Sequence, residues 1–181
     1  SPGTFGDISA FSLHPLKSLN AMGDGGAVVT NDKKKYKWLL KYRNHGMINR
    51  DTIEMWGENK RMQPLQCIVA LWGLKKLKKI IKIRNKNALY YDKKLIELKK
   101  YITVPRRIKG FVETFALYMI LCSNRDKLKK FLEKKNIEVK IHYPKGLNQQ
   151  PAFKKYNKKR NNGSFKVSDK QAKIQDIIAV I

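Results

Sequence analysis

The chain has 181 residues, 42% of them hydrophobic, enough for one ordinary domain or a large piece of a bigger one. Its 40 basic and 14 acidic residues give a formal net charge of +26, which favours adhesion to polyanions at low salt; yet the basic residues are mostly scattered lysines, with no zinc-finger spacing and no RNA-recognition signature, so neither a metal site nor a specific nucleic-acid partner is expected. No apolar run approaches the roughly 18 residues of a membrane-spanning helix, no charged and then apolar leader opens the chain, and Cys67 and Cys122, each within an apolar pattern, read as buried free thiols in a reducing cytoplasm.

Residues 1–7 carry no start signal and read as chain cut from the middle of something. Residues 8–13 and 27–30 suit two strands. Asp32 is placed to cap a helix over 33–44, in which Tyr36, Leu39, Leu40 and Arg43 recur at helical spacing; His45-Gly46 stops it. Residues 46–63 lack periodicity and read as a loop. Pro64 then opens a long helix to about residue 98, with Leu65, Ile68, Val69, Trp72, Leu77, Ile80, Ile81, Ala88, Tyr91 and Leu95 on one stripe and lysines on the other face. Beyond Pro105 the pattern changes. Residues 115–122 suit a buried strand, 127–135 a helix with Leu128, Phe131 and Leu132 toward a core, and 137–142 an alternating strand. Residues 154–166 read as a loop, and 168–181 as a final helix. Three segments follow: 1–63, the connecting helix 64–100, and a small domain over 101–181.

The chemistry concentrates near the start. Ser12 and Lys17 share a short loop that leaves an apolar strand, and Gly23-Asp24-Gly25-Gly26 follows. A lysine amine in an apolar, partly enclosed pocket gains neutral character, can condense with an aldehyde cofactor, and can carry a proton. A hydroxyl beside it can hold that cofactor's phosphate. The alternative for Ser12 is a strand-end serine satisfying local backbone, and His14 can be a plain loop residue or a substrate contact. The glycines match neither a Walker loop nor a dinucleotide fingerprint and read as a turn.

This first string, from Gly6-Asp7-Ile8 through Phe11-Ser12 and Lys17 to the glycine turn, resembles the cofactor-lysine segment of the DegT/DnrJ/EryC1/StrS aminotransferases. A second string supports it: Arg43-Asn44-His45-Gly46, Asn49-Arg50-Asp51, Gly57-Glu58-Asn59-Lys60-Arg61-Met62 and Leu65-Gln66. A third runs from Asn124-Arg125-Asp126 to Ile137-Glu138-Val139-Lys140-Ile141-His142-Tyr143-Pro144. The resemblance implies an α/β chain: part of the fold-type-I pyridoxal 5'-phosphate (PLP) transferase fold, comprising the end of the large domain and a small C-terminal α+β domain. It implies amination of a nucleotide-linked keto-deoxy sugar, with glutamate as amino donor, by a cytoplasmic homodimer. It makes Lys17 the catalytic, cofactor-bonding lysine and Ser12 a phosphate ligand. Asn59 would reach the phosphate in the partner subunit's site, with Arg61 beside it fixing the loop. His14, Arg61, His142 and Tyr143 become weaker substrate contacts.

The chain also departs from that pattern. Glu58 and Lys60 replace the usual Tyr and Ser, setting a charge pair beside Asn59. Lys145-Gly146-Leu147-Asn148 stands where Pro-Leu-His is usual, and Gln150-Pro151-Ala152-Phe153 returns to the pattern. Val167 to Lys173 runs straight into Ile174-Gln175-Asp176 without the usual Leu-Pro-x-x-Pro. Members of the family are longer, and the part without counterpart here would precede Ser1. An inactive remnant or binding module, and a basic polyanion binder, are the competing readings.

Overall fold

A computed structural model describes residues 2–156 and 177–179. The chain divides into two compact units, Ser1–Ile80 and Ile81–Ile181.

The first unit opens with an antiparallel pair, β1 (Ser9–Ser12) and β2 (Gly26–Val29), in the register Ser9↔Val29 to Ser12↔Gly26. The pair closes tightly at position 26, where a Cβ would lie 2.8 Å from the Phe11 carbonyl oxygen. The intervening loop is tied by Leu13 N–H to Gly25 O at 2.8 Å and Ala21 N–H to Leu13 O at 2.9 Å, and it buries Leu13 and Ala21. Asp32 caps α1 (Lys33–Tyr42) as expected: its Oδ1 accepts from the Lys34 and Lys35 N–H groups at 2.7 and 3.1 Å, satisfying donors that have no partner within the helix.

The long helix α2 (Pro64–Leu95) starts on its proline and passes into a 3₁₀ turn, Ile96–Leu98. Its early apolar positions are uncovered, with Leu65 76%, Ile68 62% and Trp72 59% exposed. Over these first turns the stripe that the sequence aims at a core meets none among the described residues, whereas its later members Ala88 and Leu95 do. Cys67, expected to be buried, sits on this stretch and is exposed for the same reason; Cys122 is half-buried, and both thiols are free.

The second unit has its own core, Ala88, Phe115 and Tyr118, with Leu95, Val104 and Ile120 packed against it. Here the end of α2 holds the segment before the next strands by polar contacts. Arg84 Nη1 donates to the Phe115 and Ala116 carbonyls at 2.5 and 3.3 Å, and Asn85 Nδ2 to the Glu113 carbonyl at 2.7 Å. Arg84, Ala88, Asp92 and Leu95 recur at helical spacing, which puts them on one face.

Four strands follow: β3 (Ile102–Thr103), β4 (Tyr118–Cys122), β5 (Val139–Ile141) and β6 (Ile177–Ala179), in the order β3-β4-β6-β5 with every neighbouring pair antiparallel. Since β6 runs antiparallel to both β4 and β5, those two are parallel to each other, and α3 (Arg125–Lys134) connects them. The crossover leaves a gap one strand wide, which β6 fills.

Four sequence expectations are corrected here. Residues 177–179 are a strand, not part of a final helix, because the gap supplies ladder partners on both edges; residues 168–176, 180 and 181 lie outside the described residues. Residues 154–156 belong to a short helix, α4 (Pro151–Tyr156), opened by Pro151, and not to a loop; residues 157–166 lie outside the described residues. Phe131 is 56% exposed and does not enter the core. Ile137 precedes β5 and is exposed, while Val139 is buried.

Asp92 is the polar centre of this unit. Arg107 grips its carboxylate with two bonds, at 3.0 and 3.1 Å, and the Tyr118 hydroxyl donates to it at 2.7 Å. Burial pushes the Asp92 carboxyl up, but the hydrogen bonds from Arg107 and Tyr118 outweigh it and hold the group below its ordinary value. Burial, reinforced by the bond to Asp92, drives the Tyr118 phenol well above its ordinary range. A carboxyl lowered in the folded state contributes stability that is present above its unfolded pKa, about 3.9, and is lost as pH falls through the folded value. Asp92→Asn is therefore expected to cost about 2 kcal/mol at neutral pH, with the gap to the parent protein narrowing below about pH 4. Thermal melts across pH check both.

Candidate active site

The loop after β1 brings three of the expected residues together. Ser12 Oγ accepts from the His14 N–H at 3.3 Å, His14 Nδ1 accepts from the Leu16 N–H at 3.2 Å, and the Lys17 N–H donates to the His14 carbonyl at 2.9 Å. Because His14 Nδ1 is an acceptor, a neutral ring carries its proton on Nε2. The Lys17 side chain is exposed and forms no ion pair among the described residues. The partly enclosed pocket expected for this amine is not built by these residues. The two-stranded ribbon behind the loop leaves its own apolar side chains, Phe11 and Val28, 40% and 51% exposed.

The glycine turn is anchored from α2, through a residue to which the sequence reading gave no role. Gln66 Nε2 donates to the Asp24 carbonyl at 2.8 Å, while its Oε1 accepts from the Gln63 N–H at 3.1 Å. One side chain thus fixes both the turn after Lys17 and the start of the helix.

The segment between α1 and α2 is irregular, as expected, but firmly bonded. The chain reverses so that Asn44 bridges Asn59 and Met47 bridges Ile53. His45 N–H reaches Glu58 O at 3.1 Å, Glu58 N–H reaches Tyr42 O at 2.7 Å, and Lys60 N–H reaches Arg43 O at 2.9 Å. Gly46 makes the reversal possible: its φ is +73°, and a Cβ there would sit 1.5 Å from the Met55 carbonyl oxygen.

Arg61 stands beside Asn59. Its Nε donates to Asn59 Oδ1 at 3.1 Å and its Nη1 to Asn44 Oδ1 at 2.9 Å. The expected charge pair is present too: Lys60 Nζ lies 2.8 Å from Glu58 Oε2, and the Tyr42 hydroxyl donates to Glu58 Oε1 at 2.5 Å. Bonds from Lys60, then Tyr42, hold the Glu58 carboxyl below its ordinary value, and Glu58 in turn raises Lys60 and Tyr42. Nothing among the described residues bonds Asn59 to Ser12 or Lys17. His142 and Tyr143 lie in the second unit, just after β5, with their rings stacked 3.9 Å apart. A shallow hollow of about 370 Å³ lined by Lys37, Leu40, Lys41, Met47 and Ile48 contains none of the expected residues. Among the described residues no acidic, histidine or cysteine cluster can hold a metal ion, and no helix is long and apolar enough to cross a membrane.

Residues 1–175 match the DegT/DnrJ/EryC1/StrS aminotransferase family. The chain belongs to that family. It is 32% identical over 151 residues to the erythromycin biosynthesis sensory transduction protein EryC1 of Saccharopolyspora erythraea, covering 83% of this chain and 41% of that protein. It is also 32% identical over 151 residues to a UDP-N-acetyl-3-dehydro-alpha-D-glucosamine 3-aminotransferase of Acidithiobacillus ferrooxidans, covering 83% and 40%. Among solved structures it resembles S. venezuelae DesV in complex with a ketimine intermediate, with a TM-score of 0.87 and 28% identity over 97% of this chain and 47% of that one. The chain thus spans less than half the length of these relatives. Enzymes of the family depend on pyridoxal 5'-phosphate, and the chain carries part of their fold-type-I architecture. The donor set suits that cofactor: an amine with no carboxylate partner among the described residues, and a hydroxyl five positions earlier at the end of β1.

The geometry separates backbone effects from surface charge in the Asn59 loop. Gly46→Ala is expected to cost more than about 1 kcal/mol, because it strains a left-handed position and strikes backbone. Lys60→Ala breaks an exposed pair and should leave the melting temperature unchanged. Parallel melts of the two variants check this.

Proposed function

We propose that the protein of which this chain is part is a pyridoxal-phosphate aminotransferase acting on a nucleotide-linked keto-deoxy sugar, with glutamate as amino donor. The single turn that ties Ser12, His14 and Lys17 together carries the reading. The names of related proteins support it, since several act on UDP- or dTDP-linked sugars. In this reading the enzyme is a cytoplasmic homodimer, and Asn59 serves the phosphate in the partner subunit's site.

The cofactor, when bound, supplies an electron sink for the charge left behind when a proton departs from carbon. The chain's own groups do the rest. Lys17 Nζ would hold the cofactor's aldehyde end and would carry the proton that moves from and to carbon. Ser12 Oγ donates to a phosphate oxygen. His14, its Nδ1 occupied by the Leu16 amide, has Nε2 left to orient a substrate hydroxyl. Walls that exclude water from Lys17 have to come from outside the described residues, since these leave it exposed.

In the full-length protein treated with pyridoxal phosphate and reduced with borohydride, peptide mass spectrometry should find the cofactor label on Lys17. Lys17→Ala should abolish the label. A label on another lysine would overturn the assignment.

A further inference from the structure

We infer that the opening turns of α2 form a seat for the loop that carries Lys17, with Gln66 and Gly73 as positioning residues for its amine. The Lys17 side chain is exposed, so its placement is set by the backbone of residues 13–25 and by what that backbone rests on. Within the loop, Leu13 N–H is tied to Gly25 O, Ala21 N–H to Leu13 O and Lys17 N–H to His14 O. Those bonds close the loop on itself without fixing it against anything else. Contacts with the start of α2 do that. Gln66 Nε2 donates to the Asp24 carbonyl at 2.8 Å. A Cβ on Gly25 would lie 3.4 Å from the sulfur of Met62, just before the helix, and one on Gly73 would lie 3.2 Å from Leu19 Cδ1. Gln66 and Gly73 are seven positions apart, so they share a helix face, about 10 Å from each other along the axis. Lys17 therefore sits between Leu13, bonded to the turn that Gln66 grips, and Leu19, which rests on Gly73. Glycine within a helix costs about 1 kcal/mol relative to alanine. At position 73 the missing side chain is what lets Leu19, and the loop with it, approach the helix.

The proposal rests on the aminotransferase reading. Its test is the rate at which pyridoxal phosphate, trapped with borohydride, labels Lys17 in the full-length protein relative to the other lysines. Peptide mass spectrometry reads that rate below the melting temperature of every variant. Gly73→Ala should keep or raise the melting temperature, because alanine is the better helix former, yet slow Lys17 labelling about tenfold by shifting the amine. Leu19→Val, which lacks Cδ1, should restore the rate when added to Gly73→Ala, a coupling that general destabilisation does not produce. Gln66→Glu keeps an oxygen for the Gln63 N–H but sets an acceptor against the Asp24 carbonyl, and should slow labelling by a similar factor. An unchanged rate in both Gly73→Ala and Gln66→Glu, or a slowed rate in Gly73→Ala that Leu19→Val leaves slow, would overturn the proposal. A parent protein whose label falls on another lysine would defeat the aminotransferase reading instead.

Discussion

Asn44 and Asn59 face each other because the chain reverses between them and is closed by backbone hydrogen bonds on both sides, Glu58 N–H to Tyr42 O at 2.7 Å and Lys60 N–H to Arg43 O at 2.9 Å. That closure depends on position 46, where the left-handed φ and the Met55 carbonyl exclude any side chain. The chemistry of the loop is therefore set by main chain first. Arg61 then converts the placement into polarity, since its donor-only fork dictates which end of each amide turns toward it. Gly46, the bridge and the guanidinium form a hierarchy in which each step presupposes the one before.

The two units solve the burial problem differently. The second has a closed core around Tyr118 and satisfies the carbonyls of residues 113, 115 and 116 from α2 side chains. In the first, Leu13 and Ala21 are the buried apolar residues among those described, while Phe11, Val28, Leu65, Ile68 and Trp72 stay exposed. These exposed apolar side chains form a surface of the first unit that no described residue covers. The exposure of Lys17 follows from the same deficit.

What the sequence made legible follows from where its signals are local. The Asp32 cap and the Pro64 start depend on neighbours a few positions away, and each is found where those neighbours predict it. Residues 177–179 fail that logic, because their strand exists only by virtue of two partners far away in sequence, β4 and β5. An apolar run read alone supports helix or strand equally. Asn44 and Gln66 were visible inside quoted strings, yet nothing in the order of residues shows a side chain reaching across a reversal to Arg61 or to the Asp24 carbonyl. Whether Leu65 or Trp72 would be covered was likewise undecidable from periodicity, which gives a face but not its partner.

The substitutions at 58 and 60 show why this loop tolerates charge so near a proposed anion site. In extended chain, successive side chains leave on opposite faces and alternate residues share one. Glu58 and Lys60 flank Asn59, so they belong to the face opposite its amide, and their 2.8 Å contact with each other is what shared sidedness predicts. Tyr42 joins them there at 2.5 Å. Had the acid replaced Asn59 itself, its oxygens would have met Arg61 and neutralised the charge that an anion needs. One residue either way, it forms a self-contained surface pair whose contribution to stability is small. The alternation through residues 58–60 therefore keeps the Glu58–Lys60 pair apart from the contact of Asn59 with Arg61.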